Sequence, residues 1–339
     1  MLKVGIIGFG LSGRVFHAPL IEACSKLQLL AIASSREQEI AQLYPNVACL
    51  NSEQLIAHPE IDIVVIASPN AMHAQLAEQA MLSGKHVIVE KPLAINSEQC
   101  LHLQQLSEQT GRCLSVFHNR RWDSDFLTIQ QLIQQQSLGN IHSYSAHFHR
   151  YRPAVKQRWK ELDPHGGGVL YDLGAHLIDQ ALSLFGKPQK IWAHIATQRQ
   201  GAVTPDCFDL HLIYPDMKAQ LSCNSLVVEP GPRFQLHGQH GSYAKWGMDP
   251  QEQQLAAGLS PSASQFGHDS NRSEIHIANQ AVVHKPLMKG NYSAFYDNFI
   301  AAIEGSEPLI VTAQQASEVI GLIELAMLSH QQQMICSVE

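Results

Sequence analysis

The chain has no basic excess, no long apolar run and no paired cysteines. Its 339 residues carry 23 Lys and Arg against 30 Asp and Glu, a formal charge of -7. Nucleic-acid binding draws on a basic face, so no nucleic-acid partner is expected. No apolar stretch approaches the ~18 residues that mark a membrane span, so no membrane association is expected either. Met1–Ile7 reads directly as a strand, without a charged and apolar leader before it. The seven cysteines (Cys24, Cys49, Cys100, Cys113, Cys207, Cys223, Cys336) are scattered, odd in number and never in a C-x-x-C. They read as reduced thiols, not as a disulfide frame or zinc site. A cytoplasmic protein without a metal is the expectation. Histidine is plentiful at 19, which makes any single histidine weak evidence.

The first third alternates strand and helix. Val4–Ile7, Leu27–Ser34, Ile61–Ala67, His86–Glu90 and Cys113–Phe117 are apolar runs of strand length. Ile61–Ala67 is a continuous β-branched run, the mark of a strand covered on both faces. Helical spacing fills the gaps over 15–26, 70–84 and 97–110, with Gly84 and Gly111 as closing residues. Such alternation gives right-handed crossovers and a doubly wound parallel sheet. After His118 the pattern changes. A helix over 122–137 precedes strands over 141–151, 190–198, 208–214, 219–228 and 234–245, interrupted by a helix over 170–185. Residues 249–271 read as a surface loop, and helices over 292–304 and 312–333 close the chain. The fold class is therefore α/β: a Rossmann domain over 1–118, then an α+β domain over 119–339 with a large, mainly antiparallel open sheet. One face of that second sheet has no helix to cover it and reads as exposed and apolar, which predicts an oligomer.

Three motifs carry chemistry. Gly8-Phe9-Gly10-Leu11-Ser12-Gly13 follows the first strand and opens a helix. Its glycines allow a tight turn, close approach to a pyrophosphate and close helix packing. At the end of the second strand stand Ser34, Ser35 and Arg36, where an NAD site wants a carboxylate for the ribose 2′-OH. Two hydroxyls and a guanidinium suit a 2′-phosphate, so NADP(H) is expected in preference to NAD(H). Glu37 reaches the ribose only if the strand ends later than placed. Glu90-Lys91-Pro92 lies at the carboxyl end of the strand His86–Val89, where open α/β sheets place ligands. A lysine there is solvated, paired or used for chemistry. Lastly, Asp172 and His176 sit four apart on the 170–185 helix, so they share a face. A carboxylate beside an imidazole makes a tuned base near neutral pH.

With these three motifs in order, the sequence resembles the glucose-fructose oxidoreductase / inositol dehydrogenase (Gfo/Idh/MocA) family over essentially its whole length. Phe16-His17-Ala18-Pro19-Leu20-Ile21 and Ser115–Asp123 are similar to the branch containing NADP-dependent scyllo-inositol dehydrogenases. The resemblance implies a catalytic triad of Lys91, Asp172 and His176 beside the nicotinamide. It also implies cofactor contacts from Ser68, Asn70, His73, Glu90 and Asn119, and substrate contacts from Arg120, Trp122 and Arg152, with Arg150 and Trp159 as further pocket candidates. His147 and His149 share a strand face, but two histidines without a third ligand read as ordinary strand residues.

The expected function is an NADP(H)-dependent oxidoreductase acting on a CH–OH group of a sugar or inositol-like cyclic polyol. Two alternatives are weighed beside it: a non-catalytic NADP-binding sensor, and an NAD-dependent glycosidase of the same fold. The uncovered sheet of the second domain is the expected surface for a homodimer or homotetramer, as in the family.

Overall fold

The computed structural model describes residues 1–156, 159–163 and 166–338, with only the backbone of residues 159 and 160. Two compact units emerge, and neither is continuous in sequence. The first is Met1–Trp122 with Pro250–Gly267 and Asn291–Glu318; the second is Asp123–Asp249 with His268–Gly290 and Val319–Glu339. A single boundary near residue 118 was expected from the pattern change there. The later segments return to the first unit, where Phe295 and Tyr296 pack against Phe117.

In the first unit the order is β1 (Leu2–Ile7), α1 (Ala18–Ala23), β2 (Leu27–Ala33), α2 (Glu37–Leu43), β3 (Ala48–Leu50), α3 (Ser52–Ala57), β4 (Ile63–Ile66), α4 (His73–Leu82), β5 (His86–Val89), α5 (Ser97–Thr110) and β6 (Leu114–Val116). The six strands are parallel in the order β3-β2-β1-β4-β5-β6. Every residue of β4 is buried, as its unbroken β-branched run requires. Local signals set the helix ends: Asn51 and Gln54 form a reciprocal capping box on α3, Asn96 caps α5, and Gly111 closes it at φ 63. The strand order reverses between β1 and β4, so ligands are expected at the carboxyl ends of these strands.

The second part of the chain continues with α6 (Ser124–Gln134), β7 (Ile141–His149), α7 (Trp159–Leu162), α8 (Ala175–Phe185), β8 (Lys190–Ala196), β9 (Cys207–Ile213), β10 (Lys218–Asn224), β11 (Phe234–Gly238) and β12 (Gly241–Lys245). Then come α9 (Gln251–Ala256), β13 (Ser273–Ile277), β14 (Val283–His284), α10 (Ser293–Ile303), α11 (Ala313–Gln332) and β15 (Cys336–Ser337). Nine strands form one sheet in the order β14-β13-β12-β11-β7-β10-β9-β8-β15. Only the β7–β10 pair in it is parallel. Tyr144, Ala146 and Phe148 of β7 and Leu221 and Cys223 of β10 alternate into the core. A buried Lys245 ammonium at the end of β12 holds Asp125 at 2.9 Å and Asp269 at 3.0 Å, fastening the start of α6 to the sheet.

The opposite sheet face departs from expectation. It presents Ser145, His147, Asp209, His211, Gln220 and His194, with Trp192 edge-on to His211 at 5.3 Å. This face is mainly polar, since each strand's outward positions carry its hydrophilic residues. A second correction concerns residues 249–271. They contain α9, and Gln251, Leu255 and Phe266 are buried. The polar composition hid an element anchored by a single buried leucine, Leu255.

Candidate functional site

The glycine turn is built by three different constraints. Gly8 has φ +103, and a Cβ there would lie 2.4 Å from the Ala67 carbonyl oxygen. A Cβ on Gly13 would lie 2.0 Å from the carbonyl oxygen of Gly8. Gly10 differs, because a Cβ there meets nothing within 4 Å. Its backbone borders open space, which fits the close approach of a dinucleotide pyrophosphate. Leu11 is exposed beside it. Residues Ser12–His17 then form a π-helical turn, with the Ala18 N–H donating to Gly13, before α1 begins. Such widened turns recur at functional sites.

A buried chain of polar groups ties this turn to Lys91. The Ser12 hydroxyl donates to Glu90. His17 is fully buried, with Nε2 3.1 Å from Glu90 Oε1 and Nδ1 2.6 Å from the Tyr296 hydroxyl. A carboxylate only accepts, so Nε2–H donates to it. Burial by itself would raise the Glu90 pKa. The hydrogen bond and charge of His17, the Ser12 hydroxyl and the Lys91 charge outweigh it and bring the value down to about 2. Glu90 Oε2 also accepts the Lys91 N–H at 3.1 Å. Ser12 and Glu90, both expected at the cofactor, are thus bonded to each other.

His73 is another expected cofactor contact, and here the structure corrects the reading. It is fully buried, with Nδ1 2.7 Å from the Pro92 carbonyl and Nε2 3.0 Å from that of Ser68. Burial lowers its pKa, against the pull of both carbonyls and Glu90. A neutral ring has one N–H, so one contact is a hydrogen bond and the other a close approach. His73 therefore straps the loop after β4 to the turn after Lys91, and offers no surface of its own. Asn70 is buried beside this loop.

At the tip of β2 the Ser34 hydroxyl accepts the Arg36 N–H at 3.2 Å, and Ser35 is exposed. The Arg36 guanidinium reaches Glu39 Oε2 at 3.3 Å, while Arg14 takes Glu39 Oε1 at 2.9 Å. Arg14, His17, Glu39 and Tyr296 have no part in the sequence reading of the site. Apart from the i,i+3 pair of Arg36 and Glu39, their partners lie 25 to 279 residues away, and no spacing rule reports such pairs.

Asn119 is buried, and Arg120 is buried with its guanidinium 2.9 Å from Glu252. The Trp122 indole packs edge-on against Phe295 at 5.7 Å. Both side chains expected at the substrate are thus engaged within their own unit.

In the second unit Asp172 lies in a second π-helical turn, Leu170–Gly174, where the Ala175 N–H donates to Leu170. His176 is in the first turn of α8 and buried, its ring 6.4 Å from that of Phe148. Asp172 lines a pocket with Arg150, Arg152, Glu161, Arg199 and Ser225. Arg199 is held there by Asp206 at 2.9 Å and Glu161 at 3.1 Å, and exposed Arg152 stands at its edge. The Trp159 side chain and His165 lie outside the described residues. His147 and His149 stack ring on ring at 4.1 Å, and Ser222 meets His149 Nε2 at 3.0 Å. Burial, His149 and Arg233 bring the His147 pKa down to about 4.

Two family models match the chain. The oxidoreductase-family NAD-binding Rossmann fold matches residues 2–118, and the oxidoreductase-family C-terminal alpha/beta domain matches residues 130–339. The scyllo-inositol 2-dehydrogenase (NADP(+)) IolW of Bacillus subtilis (strain 168) is 38% identical over 332 residues, covering 96% of this chain and 93% of IolW. The uncharacterized oxidoreductase YdgJ of Escherichia coli (strain K12) is 39% identical over 328 residues, covering 96% and 95%. Among solved structures, an oxidoreductase from Bacillus cereus has a TM-score of 0.89 at 31% identity, covering 100% of this chain and 99% of that one. These matches and the motif geometry agree: the chain belongs to the Gfo/Idh/MocA family of NAD(P)-dependent dehydrogenases, and it is an oxidoreductase that uses a nicotinamide dinucleotide.

Proposed function

We propose that this enzyme is NADP(H)-dependent and interconverts a CH–OH group of a sugar or inositol-like cyclic polyol with its carbonyl. The observation that carries the reading is the anchoring of Lys91. Its turn is tied to the glycine loop through Glu90 and Ser12, and to the loop after β4 through Pro92 and His73. A lysine whose backbone is fixed beside a dinucleotide turn supports a role on the reacting oxygen. The name of IolW supports both the polyol and the NADP(H).

Gly8, Gly10, Leu11, Ser12 and Gly13 would hold the pyrophosphate, and Ser34, Ser35 and Arg36 the 2′-phosphate. Ser68, Asn70 and Asn119 would border the ribose and nicotinamide. When bound, the nicotinamide supplies the hydride chemistry. His176 takes the hydroxyl proton during oxidation and returns it during reduction. Lys91 donates a hydrogen bond to the same oxygen and stabilises the charge that builds there. Asp172 orients this pair, and Arg152 donates to substrate hydroxyls at the pocket edge. A homodimer or homotetramer assembled through the nine-stranded sheet, and action in the cytoplasm, complete the reading.

Lys91→Ala and His176→Ala are each expected to lower kcat at least about a hundredfold with inositols or aldoses, read at 340 nm. Near-full activity in either variant refutes the assigned roles. NADH used as efficiently as NADPH would refute the cofactor preference, and glycoside cleavage without net reduction would refute the dehydrogenase reading.

A further inference from the structure

We propose that Glu39 is an internal stand-in for the cofactor's 2′-phosphate, and that Arg14 and Arg36 together form the phosphate-binding pair. This rests on the NADP(H) reading above. Arg36 follows β2, whose carboxyl end is where Rossmann folds read the ribose 2′ position. Arg14 comes from the π-helical turn after the glycine loop, which follows the neighbouring strand β1. The two guanidiniums approach from different elements and converge on a single carboxylate, one on each oxygen: Arg14 on Oε1 at 2.9 Å and Arg36 on Oε2 at 3.3 Å. Glu39 reaches this point from the first turn of α2.

The arrangement has the chemistry of a phosphate site already filled by a weaker anion. A phosphate monoester brings three oxygens and up to two charges where the carboxylate brings two oxygens and one, and guanidinium forks bind it well. Both arginines are about half exposed, at 44% and 53%, so an entering ligand can reach them. Exposed ion pairs of this kind hold together weakly, so the phosphate displaces Glu39 without dismantling a buried network. The carboxylate competes for the two arginines when the ligand arrives. Glu39 is in this sense a specificity-determining residue that moderates NADP(H) affinity. Arg14 is a binding residue that supplies the second cation.

The test compares two nucleotides that differ only by the 2′-phosphate, adenosine 2′,5′-bisphosphate and AMP, by calorimetry on the full-length protein. Wild type preferring the bisphosphate supports the underlying NADP(H) reading; equal binding of the two overturns that reading and the proposal with it. Given that preference, Glu39→Gln is expected to tighten the bisphosphate about threefold to tenfold, leaving AMP within about twofold. Arg14→Gln is expected to weaken the bisphosphate about tenfold and leave AMP unchanged. Unchanged or weaker bisphosphate binding in Glu39→Gln, or equal losses for both nucleotides in Arg14→Gln, overturns the proposal while the NADP(H) reading stands. Near-equal thermal melting of the variants and wild type excludes misfolding as the cause.

Discussion

Glu90 lies directly before Lys91 and accepts from three groups: Ser12, His17 and the Lys91 backbone. Its pKa of about 2 lies below the ordinary value of 4.5, so its ionised form stabilises the fold. That contribution is fully present above about pH 4.5 and is lost as pH falls toward 2. A gap of this size corresponds to roughly 3 kcal/mol. The Glu90→Gln variant is therefore expected to be markedly less stable than wild type at pH 7, with the difference shrinking between pH 5 and pH 3. Urea unfolding across that range measures it, and a difference independent of pH would contradict the account. Lys91, Asp172 and His176 stood out in the sequence because each lies in a short motif that combines chemistry-bearing residue types, and their catalytic roles are proposed on that ground. The burial of His73 was not legible. A histidine at a helix start looks the same whether it faces solvent or two carbonyls, and only the fold decides.

The glycine turn separates two kinds of constraint within one element. Gly13 is required by the backbone itself, so Gly13→Ala is expected to destabilise the protein by at least about 2 kcal/mol, because the clash at 2.0 Å involves main-chain atoms that have no room to move. Gly10 borders open space, so Gly10→Ala is expected to melt close to wild type while binding dinucleotide at least about tenfold more weakly. Thermal melts beside nucleotide titrations test the contrast, and matching defects in both variants would refute it. The alternating strands and helices were readable because buried parallel strands are continuous apolar runs. Short β3 and the helices on either side of it lay unread between 34 and 61, since a mostly exposed edge strand leaves little pattern. The π-helical turns were equally hidden. Their i→i+5 hydrogen bonds widen the turn locally, and no residue pattern in the sequence marks that change.

Across the whole molecule, the nine-stranded sheet has a mainly polar outward face with Trp192 set among histidines. If that face joins copies of the chain, light scattering at micromolar concentration will give a dimer or tetramer. Trp192→Glu, placing a charge at its aromatic centre, will shift the mass toward monomer. A monomeric wild type would remove the assembly from the reading. No described helix is long and apolar enough to cross a membrane. The partition of the chain has a further consequence. Phe117 packs on Phe295 at 4.9 Å, and His17 bonds Tyr296, so the first unit closes its core with residues synthesised some 180 positions after its last strand. A gene fragment ending at residue 118 would encode every strand of the nucleotide-binding sheet and still yield a protein with its aromatic flank bare. During synthesis, that flank waits for nearly the entire second unit to emerge before it is covered.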